Sequence, residues 1–77
     1  MLNIKIITPE KTMFEGTAVQ ITLPGSNGSF QVLNSHAALV SNLVKGTIHV
    51  KTSTDNLKFD IQDGIVEILN NQVVVLV

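Results

Sequence analysis

Hydrophobic and polar residues alternate with a period of two along most of this chain. In residues 57–62, Leu-Lys-Phe-Asp-Ile-Gln, every apolar side chain is followed by a polar one. Successive side chains of a β-strand point to opposite faces of the sheet, so this segment places its apolar set on one face. The same alternation recurs in residues 3–6, 18–23 and 47–51, and in 18–23 it assigns Val19, Ile21 and Leu23 to the apolar face. The pattern predicts a series of short strands, each half-buried.

Turn-forming residues separate these segments. Gly, Pro, Asn, Asp and Ser cluster at residues 24–28, 53–56, 63–64 and 70–71. Such residues supply the backbone angles that tight turns require. Short strands at this spacing predict an all-β fold, a two-layer antiparallel β-sandwich, formed as a single domain over residues 1–77.

Three segments depart from the alternation. Residues 13–15 predict a short strand or corner, with Gly16 marking a bulge or turn. Residues 37–44 fit one or two helical turns as well as a strand, and we predict an irregular segment there. Residues 72–77 are apolar on both faces, which is typical of a strand that is covered on both sides or that meets a partner.

Composition excludes several classes of function. Charged residues make up 14% of the chain, against about 25% in typical domains. All basic residues are Lys, the net charge is −1, and Phe is the only aromatic residue type. Nucleic-acid binding relies on basic clusters, on Arg and on stacking aromatics, so we do not expect it. The longest apolar run, Val73–Val77, is too short to cross a membrane.

The Gly25–Gly28 segment superficially resembles a phosphate-binding loop. Such a loop is followed by a helix whose amides hold the anion, whereas the residues after Gly28 are strand-like. We therefore predict a hairpin turn, and no cofactor site.

His36 is the most conspicuous candidate for chemistry. A general base needs a carboxylate and a nucleophile beside it, and only Ser35 and Ser41 lie near it in sequence. His49 is thirteen positions away and no Cys is present, so no metal site is predicted. We expect His36 either to pin a polar corner by hydrogen bonds or to lie in a protein interface.

The ordered motifs resemble those of the epsilon subunit of the F-type ATP synthase. Met13–Gly16 is similar to the early F-x-G of that family, and residues 28–37, Gly-Ser-Phe-Gln-Val-Leu-Asn-Ser-His-Ala, to its G-x-x-G-I-L-P-G-H-A-P corner. Residues 39–43 fall where the family has L-L-T-x-L, with Gly46 following. Residues 63–68 are similar to its G-G-x-x-E-V, and residues 71–76 to its N-x-V-x-V-L.

The chain departs from the family pattern at its corner. Asn34-Ser35 stands where the family has Pro-Gly, Ala38 replaces a Pro, and Asp63 replaces the first of two Gly. Losing the Pro-Gly pair and the Pro frees the corner, which is expected either to differ in conformation or to rest more on packing.

The resemblance implies a β-sandwich and a non-catalytic subunit of the central stalk, or rotor. Its partners would be the gamma subunit and the c-ring, with no cofactor or small-molecule ligand, and it would couple ion translocation to ATP synthesis. It would be peripheral, on the cytoplasmic side of the bacterial inner membrane, and without the helical hairpin that inhibits hydrolysis in relatives. The implied c-ring contacts are Ser26, Asn27, Gly28, Ser29, Phe30 and Gln31. The implied gamma contacts are His36, Ala37, Leu39, Val40, Ser41 and Leu43.

Two questions stay open at this level. Leu39, Val40, Leu43 and Val44 fit either the core or an exposed apolar patch. An alternative function is a stand-alone β-sandwich module that binds a peptide or small ligand, with the terminal strand accepting a partner strand at its edge. A small enzyme would require folding to bring His36, Ser41 and an acid together.

Overall fold

Nine β-strands joined by short turns form the computed structural model, which describes residues 1–77. The strands are β1 (Leu2–Ile7), β2 (Thr12–Ala18), β3 (Gln20–Gly25), β4 (Gly28–Leu33), β5 (Leu39–Leu43), β6 (Gly46–Lys51), β7 (Asn56–Ile61), β8 (Gly64–Leu69) and β9 (Gln72–Leu76). The structure has no helix with the length and apolar character needed to cross a membrane.

The strands form one hydrogen-bonded path that folds over on itself. Its order is β2-β1-β9-β8-β5-β3-β6-β7, with β4 added to β3. Where the path folds over, between β5 and β3, the two strands share only the residue pair Gly25 and Leu43. The path therefore divides into a first layer, β2-β1-β9-β8-β5, and a second layer, β4-β3-β6-β7. The prediction of an all-β, two-layer fold is confirmed, although β1 and β9 pair in parallel.

The core lies between the two layers and is entirely apolar. It contains 15 buried hydrophobic residues and no buried polar or charged side chain. Both layers contribute at alternate positions, as in β1, where Leu2, Ile4 and Ile6 are buried. Burying an aliphatic side chain contributes about 1.5–3 kcal/mol, so this alternation is the main source of stability.

An aromatic pair closes the side of the sandwich that lies opposite the β5–β3 pairing. Phe14 on β2 and Phe59 on β7 lie with ring centroids 5.8 Å apart and ring planes tilted by 49°. β2 and β7 end the hydrogen-bonded path. Side-chain packing rather than backbone pairing therefore joins the layers here.

The terminal strand β9 is an interior strand of the first layer. It pairs with β1 on one side and with β8 on the other. Val73 and Val75 face the core, whereas Leu76 is exposed. Because both of its edges are paired, β9 cannot accept a partner strand, and the mechanism of the alternative peptide-binding module was wrong.

Three local predictions need correction. Gly16 lies inside β2, opposite Ile4. The irregularity falls elsewhere in the same strand pair, where the register shifts between Ile6 and Ile7. Val19 was predicted on the apolar face of its strand, but it is 40% exposed and Ala18 is buried instead. The reason is that the chain bends at Val19, between β2 and β3. The segment expected to be irregular contains the strand β5.

The open question about β5 is answered by the side-chain exposures. Leu43 is 3% exposed and belongs to the core, whereas Val40 is 61% exposed. Leu39 and Val44 are also exposed. The segment thus contributes one residue to the core and the remainder to the surface.

Three residues other than Gly adopt a left-handed backbone. Asn70 and Asn71 have φ values of 50° and 62° in the turn between β8 and β9. Asn tolerates this conformation, which hairpin turns of two residues require. Ser35, with φ 65°, stands where the motif that this stretch resembles has Gly. A side chain in this conformation costs about 1–2 kcal/mol, so the corner after β4 is strained.

Replacing Leu43 with Ala tests the facing of β5. We expect the free energy of unfolding to fall by about 2–5 kcal/mol, because the substitution leaves a cavity in the core. The control on the same strand is Val40→Ala, which is expected to change it by about 0.5 kcal/mol or less. Urea denaturation measures the free energy of unfolding of both variants. Similar losses would show that Leu43 does not face the core more than Val40 does.

Replacing Ser35 with Gly tests the strain at the corner. We expect the free energy of unfolding to rise by about 0.5–1 kcal/mol, since relief of the left-handed strain exceeds the entropy that Gly loses on folding. Ser26 is the matched control, because it is exposed but has no positive φ. Ser26→Gly is expected to lower stability by about 0.4–1 kcal/mol. Thermal or urea denaturation that shows equal losses for both variants would contradict the strain.

Candidate protein-interaction sites

The tip between β3 and β4 contains the residues predicted to contact the c-ring. Ser26 and Asn27 form a two-residue loop between the paired Gly25 and Gly28. The loop residues, Gly28, Ser29 and Gln31 are exposed, while Phe30 is half-buried and packs against the core. The prediction of a hairpin turn is confirmed, since the strand β4 follows it directly.

Close packing shapes the base of this tip. A Cβ atom at Gly25 would lie 2.8 Å from the Phe30 ring and 2.8 Å from the Gly28 carbonyl oxygen. Two backbone hydrogen bonds also join the tip to β5: the Ser26 amide donates to the Asn42 carbonyl at 3.0 Å, and the Val44 amide to that of Pro24 at 2.9 Å. The tip is therefore an extension of both layers rather than a free loop.

The corner between β4 and β5, residues 34–38, contains His36. Its backbone amide donates to the Leu33 carbonyl at 3.2 Å. Its ring Nδ1 lies 2.7 Å from the Ala37 carbonyl oxygen. Because a carbonyl only accepts, Nδ1 is the donor in this bond. His36 is half-buried and pins the corner, which confirms one of its two predicted roles.

A side chain from another turn holds the corner in place. The Ser35 amide donates to Oδ1 of Asn71 at 2.7 Å. The carbonyl of Asn71 in turn accepts the Asn3 amide of β1 at 2.8 Å. A hydrogen bond of this kind contributes about 0.5–1.5 kcal/mol, which is similar to the cost of the Ser35 backbone. Sequence reasoning missed this residue, although the replacement of Gly by Ser35 indicated that some compensation was needed.

Exposed apolar side chains surround the corner. Leu39 and Val40 on β5 line one shallow surface with Leu69 on β8, which is 53% exposed. Leu33, at the end of β4, is 52% exposed. A shallow depression lies beside them, lined by residues 35–38 and 69–71. Leu69 was not predicted, because nothing in the local pattern indicates that the end of β8 lies next to the corner.

The gamma contacts implied by the resemblance are distributed unequally. Ala37, Leu39 and Val40 are exposed, and His36 and Ser41 are half-buried. Leu43 belongs to the core, so it offers no surface to a partner and that assignment must be corrected.

The tip and the corner lie at opposite ends of the sandwich. They are joined by the six residues of β4, which span about 20 Å at roughly 3.3 Å per residue. The longest dimension of the molecule is 26 Å. The strand β5, in the other layer, runs back from Leu39 at the corner to Leu43, which pairs with Gly25 at the base of the tip.

No group of three or more metal-binding side chains converges anywhere in the structure. The ring of His36 bonds only to the Ala37 carbonyl, without a hydrogen bond to Ser41 or to a carboxylate. His49 is exposed on the polar face of β6, as predicted. The surfaces at the tip and the corner are therefore the strongest candidates for function.

Comparison with known proteins agrees with this geometry. An ATP synthase epsilon chain from Leptospira borgpetersenii is 32% identical over 75 residues, covering 97% of this chain and 59% of the relative. A chloroplastic ATP synthase epsilon chain from Porphyra purpurea is 37% identical over 76 residues, covering 99% of this chain and 57% of the relative. The chain thus spans somewhat under three fifths of the length of these relatives.

Solved structures share the fold. A chain in the mitochondrial ATP synthase of Euglena gracilis, in an OSCP/F1/c-ring structure, superposes with a TM-score of 0.91 at 17% identity, covering 97% of this chain and 49% of that chain. A chain in the central stalk/c-ring structure of the Tetrahymena thermophila mitochondrial ATP synthase gives 0.80 at 19% identity, covering 97% and 61%.

The family model for the beta-sandwich domain of the ATP synthase Delta/Epsilon chain matches residues 1–77. The resemblance inferred from the ordered motifs is therefore confirmed, and this chain belongs to the ATP synthase delta/epsilon family as its β-sandwich domain.

Proposed function

We propose that this domain is a non-catalytic part of the central stalk of an F-type ATP synthase. It links the gamma subunit to the c-ring and so couples ion translocation to ATP synthesis. The observation that carries this proposal is the placement of the tip and the corner at opposite ends of one sandwich. The relatives named ATP synthase epsilon chain and the similarity to a chain of a central stalk/c-ring structure support it.

The tip has the chemistry for contact with polar loops. Its exposed residues, Ser26 to Ser29 and Gln31, are small and polar, and each presents hydrogen-bonding groups without charge. Phe30 anchors the tip from below, because its ring packs against the core. On this proposal the c-ring contacts the tip through hydrogen bonds, and Phe30 keeps it from bending.

The corner has the chemistry for a stable protein interface. Ala38, Leu39, Val40 and Leu69 line one exposed apolar surface, where Glu67 on β8 lies opposite Val40. Stable interfaces combine an apolar centre that carries little charge with a polar rim. Gamma would cover this surface, with His36 and Ala37 at its edge.

Coupling requires that load applied at one end reach the other. The core between the layers is close-packed and lacks polar side chains, and such interiors compress little. A force on the tip therefore moves the corner with it. On this proposal the domain needs no cofactor and associates with the membrane only through the complex, on the cytoplasmic side of the inner membrane in a bacterium.

Single-cysteine crosslinking tests both contacts at once. The chain has no Cys, so Asn27→Cys at the tip and Ala37→Cys at the corner each introduce one thiol. In the assembled synthase, a short crosslinker with one thiol-reactive end and one photoreactive end is expected to join the tip variant to subunit c and the corner variant to gamma. Gel analysis with mass spectrometry identifies the products.

Ser53→Cys is the control, because Ser53 is exposed in the β6–β7 turn and makes no side-chain hydrogen bond. It is expected to give neither product. Crosslinks of the tip to gamma alone, or equal yields from all three variants, would overturn the assignment of the two ends.

A further inference from the structure

We propose that Asn71 is the positioning residue of the corner, and that docking of gamma depends on it. The second part rests on the proposed function, whereas the first does not. Asn71 lies in the β8–β9 turn and does not belong to the corner segment itself. Its side chain nevertheless accepts the backbone amide of Ser35, 36 positions earlier, at 2.7 Å.

Asn71 connects three parts of the molecule. Its backbone, with φ 62°, forms the turn between β8 and β9. Its carbonyl accepts the Asn3 amide, which ties the turn to β1. Its Oδ1 ties the same turn to Ser35, in the link between the two layers. One amide side chain therefore sets the position of the corner relative to the first layer.

The consequences extend to His36 through the backbone. Ser35 is held in a left-handed conformation that its side chain disfavours, so it relaxes if the bond to Asn71 is lost. His36 follows directly, and its amide and ring bonds to Leu33 and Ala37 depend on that backbone. Relaxation would also move residues 36–38 away from Leu69, with which they line one depression.

The residue at this position must meet two requirements. It must tolerate a positive φ, and it must present an acceptor to the Ser35 amide. Asn and Asp meet both, while Gly meets only the first. Asn70 provides a matched comparison, because it has φ 50° in the same turn and its side chain makes no hydrogen bond.

Hydrogen exchange at the Ser35 amide tests the positioning directly. In Asn71→Gly we expect exchange about tenfold faster than in the unmodified chain, which corresponds to one lost hydrogen bond. Asn70→Gly, which changes the same turn without removing the acceptor, is expected to leave the rate unchanged. Asn71→Asp is expected to restore slow exchange, with Asn70→Asp as its charge control. Equal Ser35 exchange rates in Asn71→Gly and Asn70→Gly would overturn the proposal.

Titration with purified gamma tests the effect on docking. At a temperature where both variants are fully folded, we expect the Kd to rise about five- to tenfold for Asn71→Gly relative to Asn70→Gly, and to recover in Asn71→Asp. A Kd that is the same for all variants, with Ser35 exchange altered, would overturn the role in docking. Failure of the unmodified chain to bind gamma would contradict the proposed function, while the exchange rates would still decide the positioning.

Discussion

The structure depends on burial of one apolar layer of side chains between two sheets that are barely joined by hydrogen bonds. Along the hydrogen-bonded strand path, the two layers are connected by a single residue pair, Gly25 and Leu43. On the opposite side, Phe14 and Phe59 make the connection by packing. The chain has no Cys, and the core has no buried polar side chain. Hydrophobic burial therefore has to hold the layers together over most of their area.

This constraint explains why the corner needs its own hydrogen bond. The link between β4 and β5 leaves the second layer and enters the first, outside the region where the core packs. Its backbone at Ser35 is strained, since Ser35 has a positive φ where the motif that this stretch resembles has Gly. Asn71 supplies from the first layer what the local sequence lacks. The corner is thus held by a specific hydrogen bond. The sequence had led us to expect either a different conformation or more reliance on packing.

The fold class could be predicted from sequence because alternation is a local signal. In β7 the pattern of half-buried Leu57 and Phe59 with buried Ile61 follows the alternation directly. The parallel pairing of β1 with β9 could not be predicted, since periodicity carries no information on which strands are neighbours. The segment around β5 was ambiguous because Leu39 and Leu43 are four positions apart, a spacing that suits both a helix face and a strand face.

The candidate sites were predictable to a smaller extent. The tip and the corner were recognised from turn residues and from the resemblance, because both lie in continuous sequence. Leu69 and Asn71 were missed since they approach the corner only through the β5–β8 and β8–β9 pairings. Leu43 was assigned to a contact surface because its burial depends on the register of β5 with β8, which the sequence alone does not reveal.

The central claim is that both ends belong to one body that unfolds as a unit. Native-state hydrogen exchange over a range of denaturant concentrations tests this most directly, by comparing the slowest amides of β3 in the second layer with those of β9 in the first. The account predicts that both sets converge on the same free energy of opening, equal to that of global unfolding. Two distinct free energies, with one layer opening while the other stays protected, would contradict it.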